Sequence, residues 1–265
     1  MHRSVLTEQT KVIRERSAAT DNFWPLPGTQ VAHVVIDMQN ALLDDDPLIE
    51  LPTIHEIVPN INALSRAVRE ASGINIFIRY TFDPSWSSYF GRMSGQQMEK
   101  LGSCYTAGSH GHALSPELDV QSDDLVLDKT RLSCFVPGTC DLEAELRNRN
   151  LSTLLITGCV SNSCCESTAR DASQRDFRVV FVDDANAALS DDLHSGAANN
   201  LASTFRCDIR PTTDVIAALR SPLTSTFKTT QQKSRASFTL KEFGLTREDV
   251  ERATAHYYEE YKEYL

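Results

Sequence analysis

The sequence has no excess of positive charge and no long apolar stretch. Its 265 residues include 26 Lys+Arg and 36 Asp+Glu, which gives a formal net charge of −10. A nucleic-acid-binding protein needs a basic face to neutralise phosphates, so this composition argues against that class. No apolar run approaches the ~18 residues that a membrane-spanning helix requires. We therefore expect no nucleic-acid partner and no membrane partner.

We also expect no secretory signal peptide at the N-terminus. The first residues, MHRSVLTEQTKVIRERS, contain no apolar segment of the kind that a signal peptide carries, so we expect a cytoplasmic protein. Because 41% of the residues are hydrophobic, the chain has enough apolar surface to fold, and a wholly disordered chain is excluded.

The seven cysteines form no CxxC pair. Their odd number, without a signal peptide, fits reduced thiols better than a disulfide framework, and a zinc site built on thiolates is disfavoured. Buried cysteines usually behave as small hydrophobic residues, so a structural role is the default for each. The cysteines are Cys104, Cys134, Cys140, Cys159, Cys164, Cys165 and Cys207.

Short β-branched segments alternate with segments of helical periodicity. The strands are predicted at 31–36, 74–80, 125–127, 151–157 and 178–182, and the helices at 54–71, 140–150, 163–175, 191–203 and from 214 onward. Such alternation is typical of βαβ units, in which helices cover both faces of a parallel sheet. The sequence therefore predicts a three-layer α/β/α domain over residues 28–220.

Two arms flank this predicted domain. Residues 1–27 form a polar N-terminal arm, and residues 221–265 form a polar linker followed by a C-terminal helix. Within the domain, the connection 80–124 shows no clear periodicity. A connection of this length usually has a functional role, so we expect it to form part of a pocket wall.

Three chemically useful groups follow predicted strands. Asp37 follows the first strand, Lys129 follows the third, and Cys164 lies in the turn after the fourth. Ligands of parallel sheets bind beyond the carboxyl ends of the strands, where these groups converge. Singly, they could be a helix cap, a solvated charge and a core thiol; together they match the needs of a cysteine nucleophile.

A cysteine nucleophile must become a thiolate before it attacks a carbonyl. A free thiol has a pKa of about 8.5, and a nearby ammonium group or helix N-terminus favours the thiolate. A carboxylate can take the thiol proton and later deliver it to a leaving amine. Backbone N–H groups at a helix start can stabilise an oxyanion.

Three segments carry a family resemblance. DMQNALL at 37–43, KTRLSCF at 129–135 and GCVSNSCCESTARDA at 158–172 resemble the signatures of the isochorismatase-like cysteine hydrolases. The resemblance covers about 30–220 and implies a six-stranded parallel sheet with the catalytic triad Asp37, Lys129 and Cys164. It also implies a cis peptide at Val160–Ser161 and an oxyanion hole formed by the backbone N–H groups of Ser161 and Cys164.

The resemblance implies an amidohydrolase. Its substrate would be a small linear amide or a ureido or N-carbamoyl compound, cleaved at a C–N bond through a thioester with release of ammonia or an amine. Two alternatives stay open: hydrolysis of an isochorismate-like vinyl ether, and a catalytically silent member that binds a metabolite or partner. The family commonly forms dimers and tetramers, so we expect a homodimer or a homotetramer.

No cofactor is expected. The chain contains no G-x-S-x-G, P-loop or G-x-G-x-x-G motif, and the segment 77–86 lacks the Asp/His metal cluster of the family's nicotinamidases. We therefore predict no metal. Five residues near the motifs or in the long connection are candidate substrate contacts: Leu42, where the family often has Phe, Tyr80, Trp86, Arg92 and Phe135.

Overall fold

A computed structural model of the protein describes residues 4–8, 10–12, 26–44 and 47–221. Six strands form one sheet in the order β3-β2-β1-β4-β5-β6, and every neighbouring pair is parallel. The strands are β1 (Val31–Ile36), β2 (Ile74–Tyr80), β3 (Leu125–Lys129), β4 (Thr153–Cys159), β5 (Arg178–Ala187) and β6 (Asp208–Arg210).

Helices connect these strands and cover both faces of the sheet. Their bounds are α1 (Asn40–Leu43), α2 (Ile54–Glu70), α3 (Ser87–Phe90), α4 (Gly95–Tyr105), α5 (Leu142–Asn148), α6 (Glu166–Ser173), α7 (Asp191–Ser203) and α8 (Thr212–Arg220). A 3₁₀ turn at Gly28–Gln30 precedes β1, and a π turn at Ser161–Cys165 precedes α6. The predicted three-layer α/β/α architecture with a six-stranded parallel sheet is therefore confirmed.

The core lies in two apolar clusters, each of which includes strand side chains. All six residues of β1 are buried, as a central parallel strand requires. Val31 and Val35 pack in one cluster with α2 and α8, while Ala32, Val34 and Ile36 pack in the other with α5, α6 and α7. Successive side chains of β1 thus pack against the helices on opposite faces of the sheet.

The sequence located some elements better than others. The bounds of β1, β2 and α7 match the predictions, whereas β4 and β5 continue beyond their predicted ends at 157 and 182. Sequence periodicity did not locate β6, because three residues are too few to show an alternation. The connection 80–124 contains α3 and α4, although its periodicity is weak.

The described part of the N-terminal arm lies against the region of β5 and α7. The backbone N–H of Ser4 donates to Asp183, and the N–H of Thr7 donates to Asn199 Oδ1 at 2.9 Å. The predicted C-terminal linker and helix lie outside the described residues, apart from residue 221. Among the described helices, none is long and apolar enough to cross a membrane.

Candidate active site

Asp37 lies where β1 leaves the sheet. Its φ of 55° places it in the left-handed region, which Asp tolerates better than most residues. Its backbone N–H donates to Ile78 O of the neighbouring strand at 2.9 Å, so the residue stays attached to β2. The side chain is nearly buried, and its Oδ1 atom has no hydrogen-bond partner among the described residues.

Lys129 ends β3, and its side chain is completely buried. Its Nζ lies 2.9 Å from Asp37 Oδ2, donates to Arg131 O at 3.1 Å, and lies 3.4 Å from Cys164 Sγ. Burial acts to lower the pKa of Lys129, but the charge and hydrogen bond of Asp37, together with the nearby Cys164 and Cys134, outweigh burial, and the pKa is raised well above its usual value. Lys129 is therefore a fixed positive charge between the carboxylate and the thiol.

Cys164 lies in the π turn between β4 and α6. Burial and the negative charge of Asp37 raise the pKa of its thiol to about 12, although Lys129 acts in the opposite direction. The sequence predicted that the ammonium group and the helix start would favour the thiolate. In the structure burial prevails, so the thiol keeps its proton at neutral pH and needs a base to remove it.

The turn that presents Cys164 depends on the end of β4. Gly158 has a φ of 111°, and a Cβ there would lie 2.1 Å from Ile36 O, so only glycine fits beside β1. The predicted cis peptide at Val160–Ser161 is wrong by one bond, because the cis peptide joins Cys159 and Val160. Val160 is extended and its carbonyl accepts from the N–H groups of Ser163 and Cys165, so the helical turn already begins there.

A series of side-chain polar contacts also reaches this turn and is separate from the contacts of Lys129. Ser161 Oγ lies 2.8 Å from His194 Nδ1, and His194 Nε2 lies 3.1 Å from Asp183 Oδ1. Both Ser161 and His194 are completely buried. The sequence analysis missed His194, because 33 residues separate it from Ser161 and no local motif joins them. Its contact holds Ser161, whose backbone N–H is a predicted oxyanion donor.

Gln39 is another residue that the sequence analysis did not single out. Its side-chain Nε2 donates to Tyr80 O at 3.1 Å and to His112 O at 2.9 Å, while its Oε1 accepts from the Tyr80 N–H at 2.7 Å. Gln39 is completely buried. Its hydrogen bonds therefore link the segment after Asp37 to the end of β2 and to the connection 80–124.

A cavity of about 170 Å³ opens onto Asp37 and Cys164. Most of its walls are apolar or aromatic. The residues that line it are Asp37, Leu42, Leu48, Ile49, Tyr80, Trp86, Tyr89, Met93, Leu101, Tyr105, Leu132, Cys159, Val160, Ser163 and Cys164. The connection 80–124 supplies several of them, in agreement with its expected place in a pocket wall.

The predicted substrate contacts divide into two groups. Leu42, Tyr80 and Trp86 line the cavity. Arg92 and Phe135 are not among its lining residues: Arg92 is exposed just after α3, and Phe135 is buried against Phe177, with ring centroids 5.6 Å apart. Phe135 lies in the segment after Lys129, but the chain directs it into the core beside α5 and α6.

The two histidines of the connection 80–124, His110 and His112, do not lie in a metal cluster. His110 Nε2 lies 2.9 Å from Asp44 Oδ2, and His112 Nε2 lies 2.8 Å from Thr81 Oγ1. Across the described ranges, no group of three or more His, Cys, Asp or Glu side chains is arranged to hold a metal ion. All seven cysteines are free thiols.

Comparison with known proteins identifies the family of this fold and site. A family model described as the isochorismatase domain matches residues 31–212. The chain belongs to the isochorismatase family, as an isochorismatase-like cysteine hydrolase. The predicted resemblance is thereby confirmed, and the protein is a hydrolase of the amidohydrolase type.

Named relatives share most of the chain. Ureidoacrylate amidohydrolase RutB of Yersinia enterocolitica is 30% identical over 68% of this chain and 84% of its own length. A solved cysteine hydrolase from Pseudomonas syringae pv. phaseolicola is 28% identical, with a TM-score of 0.66 over 74% of this chain and 95% of that one. N-carbamoylsarcosine amidase from Thermoplasma acidophilum shares the fold, with a TM-score of 0.57 at 23% identity over 69% of this chain and 96% of that one.

Proposed function

We propose that the protein hydrolyses the C–N bond of a small linear carboxamide or ureido compound through a thioester on Cys164. The observation that carries this proposal is the buried arrangement of Asp37, Lys129 and Cys164, in which Asp37 and Cys164 line the cavity and Lys129 contacts both. The relatives named as amidohydrolases support the same bond type. Small-molecule amides or ureides are therefore the proposed substrates.

The first step forms the thioester. Asp37 takes the proton of the Cys164 thiol, and the sulfur attacks the substrate carbonyl carbon. Lys129 stabilises the negative charge that passes between carboxylate and sulfur, because its Nζ lies 2.9 Å from Asp37 Oδ2 and 3.4 Å from Cys164 Sγ. Because burial and Asp37 raise the pKa of the thiol, a base is required to remove its proton for the attack.

The second step releases the amine and then the acid. The tetrahedral oxyanion rests on the backbone N–H groups of Ser161 and Cys164, and one such donor typically contributes about 2.7–4 kcal/mol. Asp37 gives its proton to the departing nitrogen. It then takes a proton from water as the water oxygen attacks the thioester carbonyl, and it returns this proton to the sulfur when the C–S bond breaks, so that Cys164 leaves as the thiol. A primary amide and one water thus yield a carboxylate and an ammonium ion.

The location and assembly of the protein are further proposals. Its free thiols fit the reducing cytoplasm, where structural disulfides are rare. The family's tendency to self-associate supports a homodimer or homotetramer. Deletion of residues 222–265 followed by mass measurement in solution tests whether the predicted C-terminal arm is required, and an unchanged mass would exclude it as the main interface.

The test of the proposed function is ammonia release from a panel of primary amides, ureides and N-carbamoyl amino acids. We expect turnover by the native chain and a loss of about 10³-fold or more in Cys164→Ala, because the nucleophile is removed. Cys165→Ala is the matched control, since Cys165 is an adjacent buried thiol that does not line the cavity. Vinyl-ether hydrolysis that persists in Cys164→Ala would favour the isochorismate-type alternative, and full amide turnover there would overturn the thioester.

A further inference from the structure

The cavity restricts the substrate class beyond the bond that is cleaved. Resting on the proposed function, we propose that the cavity takes an uncharged carboxamide whose acyl group is apolar, and that it discriminates against substrates that carry a carboxylate. Ureidoacrylate, in the name of the relatives, is such a carboxylate-bearing compound. The proposed substrate class therefore differs from the substrate that appears in those names.

Apolar side chains from three segments of the chain form most of the cavity walls. The segment after β1 supplies three aliphatic residues, the connection 80–124 supplies five, and the segment after β3 supplies one. They are Leu42, Leu48 and Ile49, then Trp86, Tyr89, Met93, Leu101 and Tyr105, and finally Leu132. An acyl chain that enters this space loses contact with water and gains contact with hydrocarbon, which favours apolar groups.

The aromatic part of the wall is already packed. Trp86 and Tyr89 stack with ring centroids 4.1 Å apart, and Trp86 also contacts Phe90 edge-on at 5.9 Å. Tyr80 and Tyr105 form a second pair at 5.2 Å. These contacts fix the ring positions, so the cavity presents a preformed apolar surface.

Among the described residues that line the cavity, none is an arginine or a lysine. The ammonium group nearest to the nucleophile belongs to Lys129, and Asp37 already neutralises it at 2.9 Å. A substrate carboxylate placed between these apolar walls would lose its hydration without gaining an ion pair. Such burial of an unpaired charge is strongly unfavourable.

The guanidinium group of Arg131, which lies next to the lining residue Leu132 in the chain, already has polar partners. Arg131 Nη1 donates to Asp83 Oδ2 at 2.9 Å and to Thr130 O at 2.8 Å, and its Cζ lies over the Trp86 ring at 5.0 Å. Arg131 thus packs on an aromatic residue of the cavity wall, and Asp83 compensates its charge. Arg92, which the sequence suggested as a carboxylate ligand, is exposed and does not line the cavity.

The size of the cavity limits the acyl group. At about 170 Å³ it is smaller than the ~300–1,000 Å³ of pockets that hold drug-sized ligands. The space suits a short branched or monocyclic acyl group beside the carboxamide. It does not suit a peptide or a large fused-ring compound.

A matched pair of substrates tests the proposal. In 5-methylhexanamide an isopropyl group replaces the carboxylate of glutaramate, so the two amides have the same number of heavy atoms and differ in charge. We expect kcat/KM to be at least about 100-fold higher for 5-methylhexanamide. Equal values, or a preference for glutaramate, would overturn the proposal while leaving the amidohydrolase function intact.

Measurements of substrate binding distinguish the recognition of the amide from its hydrolysis. Calorimetry with Cys164→Ala should show tighter binding of 5-methylhexanamide than of glutaramate, even if neither amide is turned over by the native chain. Failure of the neutral amide to bind, or tighter binding of glutaramate, would refute the substrate class. Tight binding of the neutral amide without turnover of any amide would instead refute the proposed function.

An introduced cation gives a second test. Ile49 lines the cavity and is 42% exposed, so Ile49→Arg can place a guanidinium group at the mouth without burying it. We expect at least a tenfold rise in the ratio of glutaramate to 5-methylhexanamide kcat/KM, relative to Ile49→Gln. Val126→Arg adds the same charge at an exposed position of β3 that does not line the cavity. No rise in Ile49→Arg, or an equal rise in Val126→Arg, would count against the proposal.

Discussion

Asp37 Oδ2 lies 2.9 Å from Lys129 Nζ, and the two side chains are 6% and 0% exposed. Removing both charges from water is costly, and their attraction offsets that cost only while both partners are present. The pair is therefore a stability element as well as the proposed proton-transfer site. Each partner can be removed separately to measure the two roles.

Lys129→Met should destabilise the fold strongly. The substitution leaves the buried Asp37 carboxylate without its cation, and breaking such a pair typically lowers the free energy of unfolding by about 3–5 kcal/mol. Urea denaturation at neutral pH measures the change. The double variant Asp37→Asn, Lys129→Met is the control and should regain part of the loss. A single variant that loses less than about 1 kcal/mol would contradict a buried, compensated pair.

The reactivity of Cys164 should depend on pH in a particular way. Because its pKa is raised to about 12, the thiolate fraction increases roughly tenfold for each pH unit between 7 and 10. We expect the rate of iodoacetamide labelling at Cys164, followed by mass spectrometry, to rise across this range without a plateau. A plateau at pH 8–9 would indicate an ordinary thiol pKa and contradict the effect of burial.

Removing the charge of Asp37 and removing the charge of Lys129 should change the labelling rate of Cys164 in opposite directions. Asp37→Asn removes the negative charge that raises the Cys164 pKa, so the thiolate fraction and the labelling rate at pH 8 should increase. Lys129→Met removes the charge that lowers the same pKa, so labelling should decrease. Turnover should fall in both variants, because a more reactive thiol without its base is still a poor catalyst of amine release.

The convergence of the proposed triad could be predicted from sequence because each member lies in a local motif at a strand end. Parallel strands bring their carboxyl ends to one edge, so Asp37, Lys129 and Cys164 converge once the fold is α/β. The net pKa of Cys164 could not be predicted, because it depends on the depth of burial. The contact between Ser161 and His194 could not be predicted either, since it joins the π turn after β4 to α7, 33 residues further along the chain.

Side-chain direction limited the prediction of substrate contacts. Leu42 and Phe135 both belong to motif segments, but Leu42 lines the cavity while Phe135 packs in the core against Phe177. A motif fixes which residues are near the site, whereas the local turn decides which of them face it. The cis peptide was predicted one bond too late for the same reason. The resemblance locates the turn, but it does not show at which residue β4 ends and the turn begins.

His194 should act on catalysis through Ser161. Its Nδ1 lies 2.8 Å from Ser161 Oγ, so His194→Leu should let the turn shift and weaken oxyanion stabilisation. We expect kcat to fall by about tenfold or more with a much smaller change in KM, because the oxyanion exists only in the transition state. His194→Asn keeps a polar group toward Ser161 and should retain more activity than His194→Leu.

A double-mutant cycle distinguishes this positioning role from a general loss of stability. The effects of Ser161→Ala and His194→Leu on kcat should not add, because both disrupt one contact. His33→Gln is the control, since His33 is an equally buried histidine that does not line the cavity. Additive losses, or a comparable fall of kcat in His33→Gln, would argue against a specific action of His194.

His33 should make the fold sensitive to acid. Its imidazole lies within β1, between Asn75 Oδ1 at 3.2 Å and Thr157 Oγ1 at 2.9 Å, and burial lowers its pKa to about 3. The unfolded chain binds a proton near pH 6.5, whereas the folded chain does not, so stability present above pH 6.5 is lost as the pH falls toward 3. From pH 7 to pH 5 this group alone should reduce the free energy of unfolding by about 2 kcal/mol. Urea denaturation of the native chain and of His33→Gln at both pH values measures it: the pH-dependent loss should be smaller in the variant by that amount, and equal losses would show that His33 is protonated in the folded protein.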